Sequence, residues 1–460
     1  MYFQFFGACK TVTGSQHILG IGNKKILLDC GFYQGHRSDM EYLNRHLPYD
    51  PKEIDAMILS HAHIDHCGNI PSLVKHGFQG KIYCTNATKP LTAVMLEDAA
   101  NIQLHDLFYL NKKYNKVFEP IYTPDDVEPA MKLFVGKDYH DKFEILPGVE
   151  AWFQDAGHVL GSALINLSVK EAGKQYKLGF TGDLGRKFLP ILRDPEQIID
   201  VDYLISESTY GDRLHDEART SYISLAETIN RTYARGGKII IPSFALERAQ
   251  ELIYIIHELI DAKAIPPLFV YVDSPLTVKI SEIFASFPDL FDEEARQNFL
   301  TKGKDPLIFT YLRFIESVED SKKLNGLKEP CIIISASGMC EFGRIRHHLK
   351  ESLPDKKNTV MIVGFMAENT LGRRLLEGAK KVNILNQSVA VAAEIKVLNS
   401  LSAHADQRGL LDFIHAACPL KKVFLVHGEE QPIKVLADKL ASEDIGEIVA
   451  PELGEKFELS

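Results

Sequence analysis

Short apolar runs, each closed by a polar or glycine cluster, recur along roughly the first 208 residues. Lys25-Ile-Leu-Leu-Asp29, Ala56-Met-Ile-Leu-Ser60, Lys81-Ile-Tyr-Cys84 and Lys177-Leu-Gly-Phe180 are of this kind, and runs so bounded read as strands. Between Leu91 and Leu110 the apolar positions fall at helical spacing, and a charged, tyrosine-bearing stretch follows to about Asp141. That part predicts helices laid over the strands.

From about Thr209 the grammar changes. Lys238-Ile-Ile-Ile-Pro242, Leu268-Phe-Val-Tyr-Val272, Cys331-Ile-Ile-Ile-Ser335 and Thr359-Val-Met-Ile-Val363 alternate with helical patterns, among them Leu246–Ile260 and Arg344–Leu349. Buried strands alternating with helices argue a parallel sheet of βαβ units. After about residue 379 strand-like runs return at Val389–Leu398 and Val423–Val426, with a helical pattern at Gln407–Ala416 between them. The expected organisation is therefore α/β throughout: an outer domain built from 1–208 and 379–460, interrupted by an inserted α/β domain at 209–378.

Composition adds bounds. The chain has 460 residues, more than one ordinary core holds, with 45% hydrophobic and 25% charged positions, as in a folded enzyme. No apolar run reaches the roughly 20 residues that span a bilayer, and no charged segment precedes the first apolar residues as in a signal peptide. Seven cysteines, scattered and without a CxxC pair, suit a reducing cytoplasm. The net charge of −10 argues against a broad basic face for nucleic acid and leaves room for a local basic groove.

The sharpest chemical signal is Ser60-His61-Ala-His63-Ile-Asp65-His66-Cys-Gly68, directly after an apolar run. Imidazole and carboxylate side chains are the donors zinc takes. His61 and His63, at strand-like spacing, suit one metal; Asp65 and His66, past the turn, suit a second. Further donors share one pattern, a strand ending in a ligand-type residue beside glycine: Gly157-His158, Thr181-Gly-Asp183 and His427-Gly428. Together they predict two zinc ions per chain. His61, His63 and His158 would hold one, Asp65, His66 and His427 the other, with Asp183 between them. Two such ions, about 3.5–4 Å apart, activate water and stabilise charge on a phosphoryl oxygen.

With these residues in place, the sequence resembles the metallo-β-lactamase superfamily and, within it, the β-CASP group of nucleic-acid-processing enzymes. The superfamily resemblance rests on Asp29 in Leu-Leu-Asp-Cys-Gly, the His61–His66 block, His158 and Asp183. The group resemblance rests on Glu207 in Ser-Glu-Ser-Thr-Tyr-Gly211, His404 in Ser-Ala-His-Ala-Asp406 and His427 in Leu-Val-His-Gly-Glu429. Gly14-Ser15, Val272-Asp-Ser-Pro-Leu276, Ser335-Ala-Ser-Gly-Met339, Gly364-Phe-Met-Ala-Glu368 and Gly372-Arg373-Arg374 reinforce it.

The resemblance implies an αββα sandwich with an inserted β-CASP domain. It implies a zinc-dependent ribonuclease acting on single-stranded RNA, endonucleolytic or working from a 5′ end, in which a metal-activated hydroxide attacks phosphorus. Asp65, Asp183, Glu207 and His404 are then catalytic, with His404 as the general acid that protonates the leaving oxygen. Asp29 and Glu207 would orient histidines through their second nitrogens. The insertion would close over the metals and leave a slot for RNA. Ser335, Ser337 and Gly338 would cradle a phosphate at a helix start, and Arg344, Arg373 and Arg374, with Arg248 and Arg213, would contact the backbone. The resemblance also implies a homodimer. A small-substrate metallo-hydrolase of the lactonase, thioesterase or glyoxalase II type accounts for the metals equally well. It gives no role to the insertion or to His404.

Overall fold

In the computed structural model all residues are described except 35–36, 115–117, 217, 303–305, 365, 367–368, 399–400 and 444. Most of the Gly364-Phe-Met-Ala-Glu368 stretch therefore lies outside the described residues. The chain divides into two compact units. The first is made of 1–187, 194–214 and 404–460, the second of 188–193 and 215–403.

The first unit holds two seven-stranded sheets. One runs, in spatial order, Lys456–Glu458, Tyr2–Phe5, His17–Ile21, Lys24–Leu28, Ala56–Ile58, Lys81–Thr85 and Phe134–Lys137. The other runs Glu447–Val449, Lys422–Val426, Tyr203–Glu207, Lys174–Phe180, Ala163–Glu171, Val149–Asp155 and Phe143–Leu146. Strict alternation of buried and half-buried residues along Val149–Asp155 marks a strand with one face on a core. That core lies between the sheets, where Phe3, Phe5, Leu19 and Ile26 of one pack with Phe153, Ile165, Phe180 and Phe424 of the other. Helices cover the outer faces. Leu73 and Leu96 pack on one sheet through Leu27 and Ile82, while Leu410, Phe413 and Leu436 pack on the other through Leu204 and Leu425. The layers are helix, sheet, sheet, helix.

The second unit carries a six-stranded sheet, ordered Leu312–Phe314, Val270–Val272, Ile332–Ser335, Ile239–Pro242, Thr359–Ile362 and Glu394–Val397. Every pairing in it is parallel, and the central strands read as unbroken isoleucine runs because both faces are covered. The expected boundary at residue 378 falls inside this unit. Lys381–Ile384 and Gln387–Ala390 form a hairpin, and Glu394–Val397 pairs with Thr359–Ile362. The run Val389–Leu398 thus belongs to the insertion, which extends to 403. Strand periodicity says nothing about which sheet a strand joins.

What positions a site in the first unit is strand direction. Lys24–Leu28 and Ala56–Ile58 are parallel, as are Lys174–Phe180, Tyr203–Glu207 and Lys422–Val426. Val149–Asp155 is antiparallel to Ala163–Glu171, which is antiparallel to Lys174–Phe180, so it shares their direction. The carboxyl ends of these strands deliver Asp29, His61, His158, Asp183, Glu207 and His427, and loops beyond strand ends are where α/β proteins place ligands.

Candidate active site

His61 follows its strand by three residues, and His63 sits in extended conformation as N-cap of the one-turn helix Ile64–Cys67. Asp65 and His66 stand on that turn. The local turn sends the two pairs of donors in different directions, as the spacing suggests.

His61 Nε2 lies 3.0 Å from His63 Nδ1, and His158 Nε2 lies 3.3 Å from the same atom. Asp183 Oδ2 completes the group, 3.5 Å from His61 Nε2 and 3.4 Å from His158 Nε2. Ligands about 2.0–2.1 Å from a tetrahedral zinc stand about 3.3–3.4 Å from one another, close to these edges. Beside this group, His66 Nε2 lies 3.3 Å from His427 Nε2, which lies 3.6 Å from Asp65 Oδ2. The second oxygen of Asp183, Oδ1, is 3.2 Å from His66 Nε2 and 3.4 Å from His427 Nδ1. Asp183 therefore presents one oxygen to each group. Its Oδ1 is buried with no well-formed hydrogen bond and faces the ring nitrogens of His66 and His427, a costly state for a carboxylate oxygen unless positive charge compensates it. Donor identity, edge lengths and this buried oxygen fit bound metal.

The electrostatics agree. Burial holds His61 and His158 well below the usual imidazole range and His63 down to about 4, which keeps them in the neutral form that binds metal. Burial also opposes charge on His66, but the Asp183 and Asp29 carboxylates outweigh it and raise His66 well above its ordinary value. Against its own burial, Asp183 is held well below the carboxylate range by His427, His66 and His404. The cluster demands positive charge at its centre.

Hydrogen bonds behind the donors orient them. Asp29, a non-glycine residue at φ 59°, accepts from His66 Nδ1 at 2.7 Å and from the Ser60 amide at 2.8 Å. Ser60 Oγ lies 2.9 Å from Asp29 Oδ2 and 3.0 Å from His61 Nδ1. A hydroxyl that donates to the carboxylate accepts from Nδ1, leaving His61 Nε2 unprotonated. Ser60 thus acts on His61 as Asp29 acts on His66. Sequence reasoning missed Ser60, although its place just before the first histidine was the available signal. His158 has no such partner, its Nδ1 being buried and unbonded; its ring packs against those of His61, His63 and His404.

His404 stands apart from both groups. Its Nδ1 lies 3.0 and 3.2 Å from the two oxygens of Glu207, and 4.0 Å from Asp183 Oδ2. Although burial opposes charge on His404, the Glu207 and Asp183 carboxylates raise it to about 9. Glu207, fully buried, also accepts from the Leu184 amide at 2.6 Å, and so holds the loop that carries Asp183. An isolated bridge between His404 and Gly185 places the imidazole there; the strand expected just before it does not reach it, since Glu394–Val397 ends seven residues earlier. His404, Asp183 and His427 also have donor atoms close enough to share an ion.

The expected RNA contacts fare differently. Ser335 is buried and donates to the Asp273 carbonyl at 2.9 Å. Gly338 is covered by the Phe244 ring, and the helix expected to open there starts only at Ile345. Ser337 Oγ accepts from the Phe342 amide at 3.3 Å. The Arg344 guanidinium is taken up by Asp273 Oδ1 at 2.7 Å and by the carbonyls of Ile315 and Glu316. Asp273 in turn binds the buried His348 at 2.6 Å. Ser335 and Arg344 thus each have an internal acceptor within the insertion. Arg248 is likewise buried and paired with Glu251. Arg373 pairs with Glu377 at 2.7 Å, and both line, with Asn369 and the exposed Arg374, an opening of about 270 Å³.

Comparison with known proteins agrees with this arrangement. Three family models match in succession: the metallo-beta-lactamase superfamily over 11–231, the Beta-Casp domain over 249–375, and the Zn-dependent metallo-hydrolase RNA specificity domain over 388–451. The chain is 36% identical over 438 residues to Ribonuclease TTHA0252 of Thermus thermophilus, covering 95% of each. It belongs to the β-CASP group of the metallo-β-lactamase superfamily. This β-CASP chain is also 33% identical to an RNase J-like protein of Methanocaldococcus jannaschii, covering 93% of this chain and 92% of that one. To the Transcription termination factor FttA of the same organism it is 31% identical, covering 94% of this chain and 68% of the other. A crystal structure of a protein of unknown function from Enterococcus faecalis shares the fold, with a TM-score of 0.55, 13% identity and 99% of each chain covered. The β-CASP chain is thus a metallo-hydrolase by family, and among its described residues no helix is long and apolar enough to cross a membrane.

Proposed function

We propose that this β-CASP chain is a zinc-dependent ribonuclease that hydrolyses phosphodiester bonds within single-stranded RNA. The observation that carries the reading is the Glu207–His404 pair, in which both Glu207 oxygens hold His404 Nδ1 beside the Asp183 cluster. A plain metallo-hydrolase of small substrates gives that pair no task. A ribonuclease alike along nearly the whole chain, together with a match to an RNA specificity domain, supports RNA as substrate.

In this reading His61, His63 and His158 hold one zinc, Asp65, His66 and His427 hold the other, and Asp183 serves both. Bound there, zinc supplies a water acidic enough to attack at neutral pH and charge stabilisation for the phosphoryl oxygens. The protein's own residues do the rest. Asp29 and Ser60 keep the ring nitrogens of His66 and His61 turned to the metals. Glu207 holds His404 by Nδ1, so that Nε2 is the atom that gives a proton to the leaving oxygen. Arg373 and Arg374 offer cationic contacts for backbone phosphates. All seven cysteines are unpaired, which supports work in the reducing cytoplasm.

The test compares internally labelled single-stranded RNA with blocked ends, the same RNA as a duplex, and a lactone or thioester panel, each with and without a chelator. Cleavage of the single strand at internal positions, lost with chelator, is expected. Rapid chelator-sensitive turnover of the small esters with intact RNA would replace this reading with the small-substrate one.

A further inference from the structure

We infer that Thr209 is a positioning residue that fixes the ring tautomer and the backbone of His427, and thereby sets the affinity of the second zinc. The inference rests on the metal assignment proposed above and adds a residue to it.

Thr209 comes two residues after the strand end at Glu207, which is in register with Val426 just before His427. Its hydroxyl oxygen lies 2.9 Å from the His427 carbonyl oxygen and 3.1 Å from His427 Nδ1. A hydroxyl has one hydrogen, and a carbonyl oxygen can only accept it. The hydroxyl therefore donates to the carbonyl, and its lone pair meets Nδ1. That nitrogen must then carry the imidazole proton. Its other close neighbour, Asp183 Oδ1 at 3.4 Å, is also an acceptor. With Nδ1 protonated, the lone pair stays on Nε2, and Nε2 is the atom that faces His66 and Asp65.

His427 has φ 49°, a left-handed conformation that non-glycine residues adopt only when their surroundings impose it. Its amide donates to the Ala8 carbonyl at 2.7 Å, and its carbonyl accepts from the Ser208 amide at 3.2 Å as well as from Thr209. Ser208 cannot take over the hydroxyl's task, since its own Oγ donates to the Val426 carbonyl. The Thr209 amide bonds Glu207 Oε2 at 3.3 Å, so one residue ties the His404 support to the His427 ligand.

Zinc titration of the metal-free protein against a chromophoric chelator tests this, on wild type and the Thr209→Val, Thr209→Ala and Thr209→Ser variants, with thermal unfolding to confirm the fold. Wild type should take up two equivalents. The valine and alanine variants should keep the tighter site and lose second-site affinity by about 10–100-fold, the usual effect of removing a partner of a metal-binding histidine. The serine variant, which keeps the hydroxyl, should restore it. If valine disturbs the fold, alanine against serine decides. Second-site affinity unchanged in valine and alanine, or lost equally in serine, would overturn the role of the hydroxyl. Fewer than two equivalents in wild type would instead overturn the metal assignment itself.

Discussion

Replacing Asp183 by alanine should abolish RNA cleavage and strip zinc from both sites together. Asp183 is, among the described residues, the one carboxylate with an oxygen toward each donor group, Oδ2 beside His61 and His158 and Oδ1 beside His66 and His427. His427, His66 and His404 hold it ionised, and it in turn raises His66 and His404. Without it each donor group loses a carboxylate oxygen that draws a cation. Loss of one preorganised charged group at a reacting centre costs about 10²–10³ in rate, and loss of the metals should add to that. Asparagine at 183 keeps the shape but not the charge and should fail nearly as badly. Metal analysis of both variants beside a cleavage assay checks this. A variant that keeps two zincs and half its activity would remove Asp183 from the shared position.

His404→Ala should lower cleavage by about 10²–10⁴, the range for a general acid, while both zincs stay bound. The separation of the two effects matters because His404, Asp183 and His427 could together hold an ion. The geometry favours the proton-donor role: His404 spends Nδ1 on both oxygens of Glu207 and lies 4.0 Å from the nearer Asp183 oxygen. Zinc content and cleavage rate measured on one preparation distinguish the cases. Loss of a zinc with the activity would make His404 a ligand.

The site was legible in the sequence where its chemistry is contiguous or announced by a strand. His61 to His66 lie in one loop, and Asp29, His158, Asp183, Glu207 and His427 each follow a buried run. The hydroxyl of Ser60 was announced only by its place before His61, and that of Thr209 not at all. Serine and threonine end many strands, and only the spatial register that sets Thr209 beside His427 gives it a task. The internal partners of two arginines were hidden for a related reason. Arg344 and Arg248 look like solvated cations on a line of sequence, and their partners Asp273 and Glu251 appear only once the chain has folded. The compact second unit runs past the expected boundary because Glu394–Val397, whose strand pattern fits either sheet, pairs with Thr359–Ile362. Periodicity announced strands under helices at the start of the chain and a parallel βαβ sheet in the insertion, while the four-layer sandwich came from the family resemblance.

Most directly, the central claim is tested by adding zinc stepwise to metal-free protein while following cleavage of single-stranded RNA. No cleavage is expected without metal, and activity should rise until two equivalents are bound. Cleavage that persists in the metal-free protein, or that is complete at one equivalent, would contradict it.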